Sequence, residues 1–241
     1  MHNINEKYFV PGAIIIAGLF IAVSVVYTGG IGGPSGGLGQ LSAPSADEQQ
    51  PQDISVAPVA GDDHIFGNPD APIKIIEFSD LECPFCQVLH PVLNQIIDEY
   101  DGQVVWVYRH MPLVGLHSKA PREAEASECA TYLGGNDAFW AYINRLFEIT
   151  PANNGLADRE LYNIASYINL DSVAFAECLD SDMFAEKVEN QTHESINTVS
   201  NANSGRVGTP YSVIIAPDGK TYPVNGAQSI GTFRSIIDAL L

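Results

Sequence analysis

Positive charge is what this 241-residue sequence has least of: 11 Lys and Arg stand against 29 Asp and Glu, for a formal net charge of −18. Neutralising nucleic-acid phosphates needs clustered basic side chains, so no nucleic-acid partner is expected. The same deficit weighs against docking on anionic lipid; a solvated acidic surface is the plain reading, and a preference for basic partners the alternative. Cysteine is sparse too. Four in a chain this long are too few for a disulfide scaffold. There is no second C-x-x-C and no closely spaced His pair to complete a four-ligand zinc site, so no metal is expected. No internal repeat is found either. What the chain does have is 46% hydrophobic residues, ample for a packed core and too many for a disordered protein.

Between Val10 and Tyr27 the sequence carries no charge. That run is long enough to cross a bilayer as a helix, which takes about 17–25 residues. A cleavable signal peptide is the rival, but its apolar stretch is shorter, about 7–15 residues, and Ala22-Val23-Ser24 is a poor cleavage site. The expected layout is a short segment 1–9, a transmembrane anchor 10–27, and a Gly-, Ser-, Pro- and Gln-rich disordered linker 28–61. A globular domain 62–241 follows.

Within that domain Ile73–Phe78 reads as a strand after the turn cluster Asn68–Pro72. Pro84–Tyr100 places Val88, Val92, Leu93, Ile96, Ile97 and Tyr100 at helical spacing, and Asp101-Gly102 stops it. Gln103–Tyr108 is a second strand, which completes a βαβ unit. A helix-rich stretch, about 115–203, is punctuated by Gly134-Gly135, by Pro151–Gly155 and by the cap candidates Asp158 and Asp171. Tyr211–Ala216 and Thr221–Val224 form a hairpin around Pro217–Lys220, and Ile230–Leu241 closes the chain as an amphipathic helix.

Cys83 and Cys86 stand where the first strand gives way to the first helix. Unpaired N–H groups and the positive end of the helix dipole favour a thiolate there. Pro84 suits the first helical position, where no N–H is needed. Cys86 lies one turn deeper on the same face, close enough for a disulfide. The spacing makes Cys83 the exposed nucleophile and Cys86 the resolving thiol.

The stretch IKIIEFSDLECPFC, the later YRHMPL, and Gly208-Thr209-Pro210 before YSVIIAPDG resemble the DsbA-like branch of thioredoxin-fold oxidoreductases, in its membrane-tethered bacterial form. The resemblance implies an α/β thioredoxin fold with an inserted helical domain. It implies a cis Pro210 facing the cysteine pair, with Thr209 offering backbone groups to an extended substrate that also meets Pro84 and Phe85. Glu77 matches the buried carboxylate that moves protons to and from the second cysteine; a solvent-facing strand-end Glu is the alternative. The best-known member carries His where Phe85 stands, a residue linked to thiolate stabilisation. His110 and His117 flank a loop expected near the site; they read as structural or surface residues, with a catalytic role the alternative. Some DsbA-like proteins carry a second disulfide in the helical domain, which assigns Cys129 to Cys178; two separate buried thiols are the alternative.

The function this implies is disulfide formation in unfolded or reduced protein substrates, with no cofactor beyond the Cys83–Cys86 disulfide itself. A quinone-linked membrane partner would reoxidise it, and the domain would face the extracytoplasmic side of the cell membrane. An isomerase or reductase of the same fold, and a non-catalytic peptide-binding module, are the competing readings. A separate dimerisation domain, usual in such isomerases, has no room in the linker.

Overall fold

The computed structural model describes residues 50–241. The expected anchor at 10–27 and most of the expected linker lie outside the described residues. Among the described residues no helix is long and apolar enough to cross a membrane.

Five strands form one sheet in the order β1-β3-β2-β4-β5: β1 (His64–Gly67), β2 (Ile73–Ser79), β3 (Val104–His110), β4 (Tyr211–Ile215) and β5 (Thr221–Asn225). β2 and β3 run parallel, joined through helix α1 (Pro84–Glu99), and the other pairings are antiparallel. β2 and β3 are central and covered on both faces, which explains why IKIIEFS and VVWVYRH read as apolar runs rather than alternating ones. β5 carries Pro223, which an edge strand tolerates because one side of it needs no ladder hydrogen bond. β1, too short to show a period, was not legible in the sequence.

Alternation divides the side chains of the sheet. Ile73 and Ile75 of β2 and Trp106 and Tyr108 of β3 join the larger core, with Leu89, Leu93 and Ile96 of α1. Ile76, Phe78, Val107 and Val213 face the other way, towards Val199 and Ile54. The buried stripe of α1 runs Cys86, Leu89, His90, Leu93, Ile96, Ile97. Val88, expected in that stripe, falls off it and is 59% exposed.

Four helices stand between β3 and β4: α2 (Ala120–Ile149), α3 (Arg159–Tyr167), α4 (Ser172–Asp180) and α5 (Ala185–Ala202). α2 breaks at Gly135, whose φ of 74° a side chain would strain, at the expected Gly134-Gly135 position. Asp171 caps α4 by accepting from the N–H groups of Val173 and Ala174. Asp158 does not cap α3; its carboxylate pairs with Lys119 Nζ at 3.1 Å. Helix α6 (Ile230–Leu240) packs on α1.

The packed chain begins before the expected boundary at Asp62. Gln52 bridges to Thr221 on the β5 edge, and the Ile54 N–H donates to Thr221 Oγ1 at 3.1 Å. Ile54 is buried, with Val56 and Val59 beside it on the second core. The polar composition around these three apolar residues hides their packing.

Candidate redox site

Cys83 is the N-cap of α1, Pro84 its first residue, and Cys86 lies two residues further in. Both cysteines are free thiols. Cys83 is not the exposed thiol expected from the sequence: only 4% of it is accessible, against 0% for Cys86. The cover is the loop before β4. The Thr209–Pro210 bond is cis, and Cys83 Sγ donates to the Thr209 carbonyl at 3.4 Å. The Thr209 hydroxyl is buried and lies beside Cys83, where it lowers the thiol's pKa. Phe85, by contrast, is 63% exposed.

The two sulfurs are electrostatically unlike. The Cys83 pKa falls from 9.0 to about 6, chiefly because the Cys86 thiol hydrogen-bonds to it. Burial opposes this, while the Thr209 hydroxyl and the N–H groups of Cys86 and Phe85 reinforce it. Cys86 is pushed well above its ordinary value, first by burial and then by the proximity of Cys83 and Glu77. Cys83 is therefore the more acidic of the two sulfurs.

Glu77 sits behind the pair, fully buried on the α1 side of β2, and accepts from Trp106 Nε1 at 3.0 Å. Burial raises its pKa from 4.5 to about 7, Ser79 and Trp106 pull it down, and Cys83 pushes it up. Tyr108 and Ser212 are its cross-strand partners. The hydroxyls of Ser79, Tyr108 and Ser212 are buried as well, so Glu77 has polar neighbours inside the core.

A second set of groups lies beside the cysteines, of which the sequence points only to His117, through the loop it flanks. Asp80, in the turn after β2, accepts from the N–H groups of Glu82 and Leu113 and pairs with His117 Nδ1 at 2.9 Å. The Asp80 N–H lies 3.5 Å from Cys86 Sγ, and its carbonyl accepts from the Cys83 N–H. Next to Cys83, the Glu82 carboxyl accepts from the Asn154 N–H and meets the carboxyl of Glu123 on α2. Glu82 Oε1 and Glu123 Oε2 have no other partner. Two carboxyl groups bond only through a shared proton. Glu123 is accordingly raised to about 10, by burial first and by Glu82 second. No periodicity or spacing marks the others; only the acidic stretch SDLEC hints at them.

The remaining residues lie apart. Cys129 and Cys178 form a disulfide linking α2 to α4. His110 is buried with His64 and Glu128, and their ligand-type atoms gather within 4.8 Å. Glu128 Oε1 meets His64 Nε2 at 2.9 Å, and its other oxygen takes Lys187 Nζ at 2.8 Å. The Lys187 ammonium already supplies a cation there, and the group ties β1 and β3 to the inserted helices.

A family model described as thioredoxin matches residues 59–239. Among solved structures, Pseudomonas aeruginosa DsbA2 is 29% identical, covering 78% of this chain and 97% of that one at a TM-score of 0.60. Wolbachia pipientis alpha-DsbA1 is 25% identical, covering 76% and 92% at 0.63. Among curated proteins, Na(+)/H(+) antiporter NhaA 1 of Salinispora arenicola is 30% identical over 180 residues, which are 74% of this chain and 24% of that protein. The chain spans about a quarter or less of the curated relatives it matches.

Proposed function

The chain belongs to the thioredoxin family as a DsbA-like oxidoreductase, and we propose that it forms disulfides in reduced or unfolded proteins outside the cytoplasm. The observation that carries this reading is the placement of Cys83 at the N-cap of α1, with the buried Cys86 three residues on and the cis Thr209–Pro210 loop laid against the Cys83 sulfur; the lowered pKa of Cys83 and the raised one of Cys86 agree with it. In the oxidised enzyme a substrate thiolate attacks Cys83 Sγ, and a mixed disulfide forms while the Cys83–Cys86 bond breaks. Cys86 leaves and takes a proton, for which Glu77, with a pKa about 7, is the donor at hand. A second substrate thiolate then attacks its own sulfur in the mixed disulfide, and Cys83 leaves as the thiolate. Two electrons pass from substrate to enzyme. The low pKa makes Cys83 the better leaving group and favours that direction.

Substrate docking has apolar surface to use. Phe85 and Val88 are exposed beside Cys83. An open groove of about 770 Å³, lined by Leu113, Val114, Leu116, Val188, Ile196 and Val207, reaches the segment leading to Thr209. Within this proposal residues 10–27 anchor the domain to the cell membrane in a single pass, and a quinone-linked membrane partner takes the two electrons on. The Cys129–Cys178 bond fits an oxidising compartment. Antiport, which names the curated relatives, is not carried over, because the chain matches so small a share of them.

The test is oxidation of a reduced, unfolded protein by the full chain, with its equilibrium against glutathione measured in parallel. Cys83→Ser is expected to abolish oxidation. Full activity in that variant refutes the mechanism, and an equilibrium favouring the enzyme's disulfide assigns it to reduction or isomerisation instead.

A further inference from the structure

Beside the cysteines, two side chains from distant parts of the sequence form a pair that the exchange chemistry described above does not use. His117, in the loop between β3 and α2, is buried and places Nδ1 2.9 Å from Asp80 Oδ2. Asp80 is bound to the redox turn at three points: its carbonyl holds the Cys83 N–H, its Oδ1 holds the Glu82 N–H, and its own N–H faces Cys86 Sγ. An imidazole fixed to that carboxylate is therefore fixed relative to both sulfurs. The cysteine motif contributes no cation of its own, since only Pro84 and Phe85 lie between the sulfurs.

We propose that His117, held by Asp80, is a positioning residue that supplies the positive charge which stabilises the Cys83 thiolate and so strengthens the enzyme as an oxidant. The proposal rests on the reading of Cys83 as the sulfur that leaves as a thiolate.

The groups around the imidazole define its charge. Asp80 faces it from the turn after β2 and the Asn153 side chain from the loop after α2, and Cys83, at the start of α1, is near enough to act on its charge. Lys119 lies two residues on, turned away to the Leu156 carbonyl and Asp158. Glu82 and Glu123 are the nearby acids, and Glu123 is raised to about 10 by burial and by Glu82. Burial opposes a charged imidazole, but Asp80 and Cys83 outweigh it, and the His117 pKa is raised. An interaction between two titrating groups is reciprocal: whatever the thiolate does for the imidazolium, the imidazolium does for the thiolate. Removing the charge should then weaken the thiolate, make Cys83 a poorer leaving group and shift electron flow away from substrate oxidation.

Two measurements on the full chain test this. The first is the pH midpoint of Cys83 alkylation in wild type and in His117→Gln, whose amide can still donate to Asp80 but carries no charge. The midpoint is expected to rise by about one unit, the size of a charge–charge interaction across a partly buried gap. The equilibrium constant for oxidising glutathione should fall with it, by up to about tenfold above both midpoints. The second needs no folded variant: an NMR titration of the His117 ring in oxidised and in reduced wild-type protein. Its midpoint should be higher in the reduced form, where the thiolate exists. An unchanged Cys83 midpoint in a folded His117→Gln protein, or equal His117 midpoints in both redox states, overturns the proposal. A wild-type Cys83 midpoint near the ordinary thiol value refutes the reading of Cys83 itself, whereas a low midpoint kept in the variant removes only the role of His117.

Discussion

Replacing Glu77 by Gln exchanges a buried acid for a side chain of the same shape that cannot ionise. Its oxygen can still accept from Trp106 Nε1, so the contact at 3.0 Å survives and the perturbation is one of charge. In the folded protein the Glu77 pKa stands at about 7 instead of 4.5. Between those values the folded state holds a proton that the unfolded chain has released, so stability falls as pH rises through the window. At 1.36 kcal/mol per unit the loss reaches about 3 kcal/mol above pH 7. Glu77→Gln escapes that loss. The variant should match wild type near pH 4 and exceed it by a margin that grows to about 3 kcal/mol by pH 8. Urea unfolding of the reduced protein at a series of pH values measures this directly. Turnover should move the opposite way, slowing by up to about 100-fold at pH 7, the lower end of general acid–base catalysis, because Cys86 loses its proton donor. A stability difference that stays flat from pH 4 to 8 refutes the buried, raised carboxyl. An unchanged pH–rate profile makes Glu77 a structural residue.

Thr209→Val removes the hydroxyl that lies beside Cys83. The alkylation midpoint of Cys83 should rise by roughly one unit, the worth of a hydrogen bond to a charged group, and an unmoved midpoint contradicts that contact. Replacing both Cys129 and Cys178 by Ala opens a loop with a sequence separation of 49. Chain entropy sets the loss of stability at about 4 kcal/mol at most, read from thermal unfolding, while the Cys83 midpoint stays where it was. Glu123→Gln retains a donor for Glu82 but cannot release a proton. Since burial and Glu82 raise the Glu123 pKa to about 10, the variant should be the more stable protein above about pH 5, by a margin that grows towards pH 10. A constant margin in pH-dependent unfolding rules out the shared proton.

The parts of this molecule that were legible in its sequence are those whose signal is local. β2, α1 and β3 declare themselves by apolar runs and by the helical spacing that puts Leu93, Ile96 and Ile97 on one face. Gly135 marks the break in α2 because few other residues accept its backbone angles. Cys83, Pro84 and Cys86 could be placed at a helix start from neighbouring residues alone. The cis bond at Pro210 and the pairing of Cys129 with Cys178 came through the family resemblance, since neither leaves a local trace. The segment around Ile54 was hidden by its polar neighbours, although its apolar residues are what pack on the sheet. The pairings of His117 with Asp80 and of Glu123 with Glu82 were hidden for another reason: each joins a residue of the SDLEC turn to one far from it in the chain, and such a tertiary contact writes nothing into either local sequence.

Those hidden contacts answer a difficulty that the composition poses. A chain with a net charge of −18 places Glu77, Asp80, Glu82 and Glu123 around a sulfur that must itself become negative. Left fully ionised, these acids would raise the pKa of Cys83, because like charges disfavour one another at short range. Glu77, Asp80 and Glu123 are each relieved. Glu77 keeps its proton to about pH 7 because it is buried. Asp80 faces the His117 imidazole. Glu123 keeps its proton because burial and the neighbouring Glu82 raise it to about 10. Raising the pH ionises Glu77, whose charge acts on the buried Cys86. Ionised Glu77 raises the Cys86 pKa further, so alkaline conditions that leave Cys83 fully charged keep its neighbour protonated and able to hydrogen-bond to it.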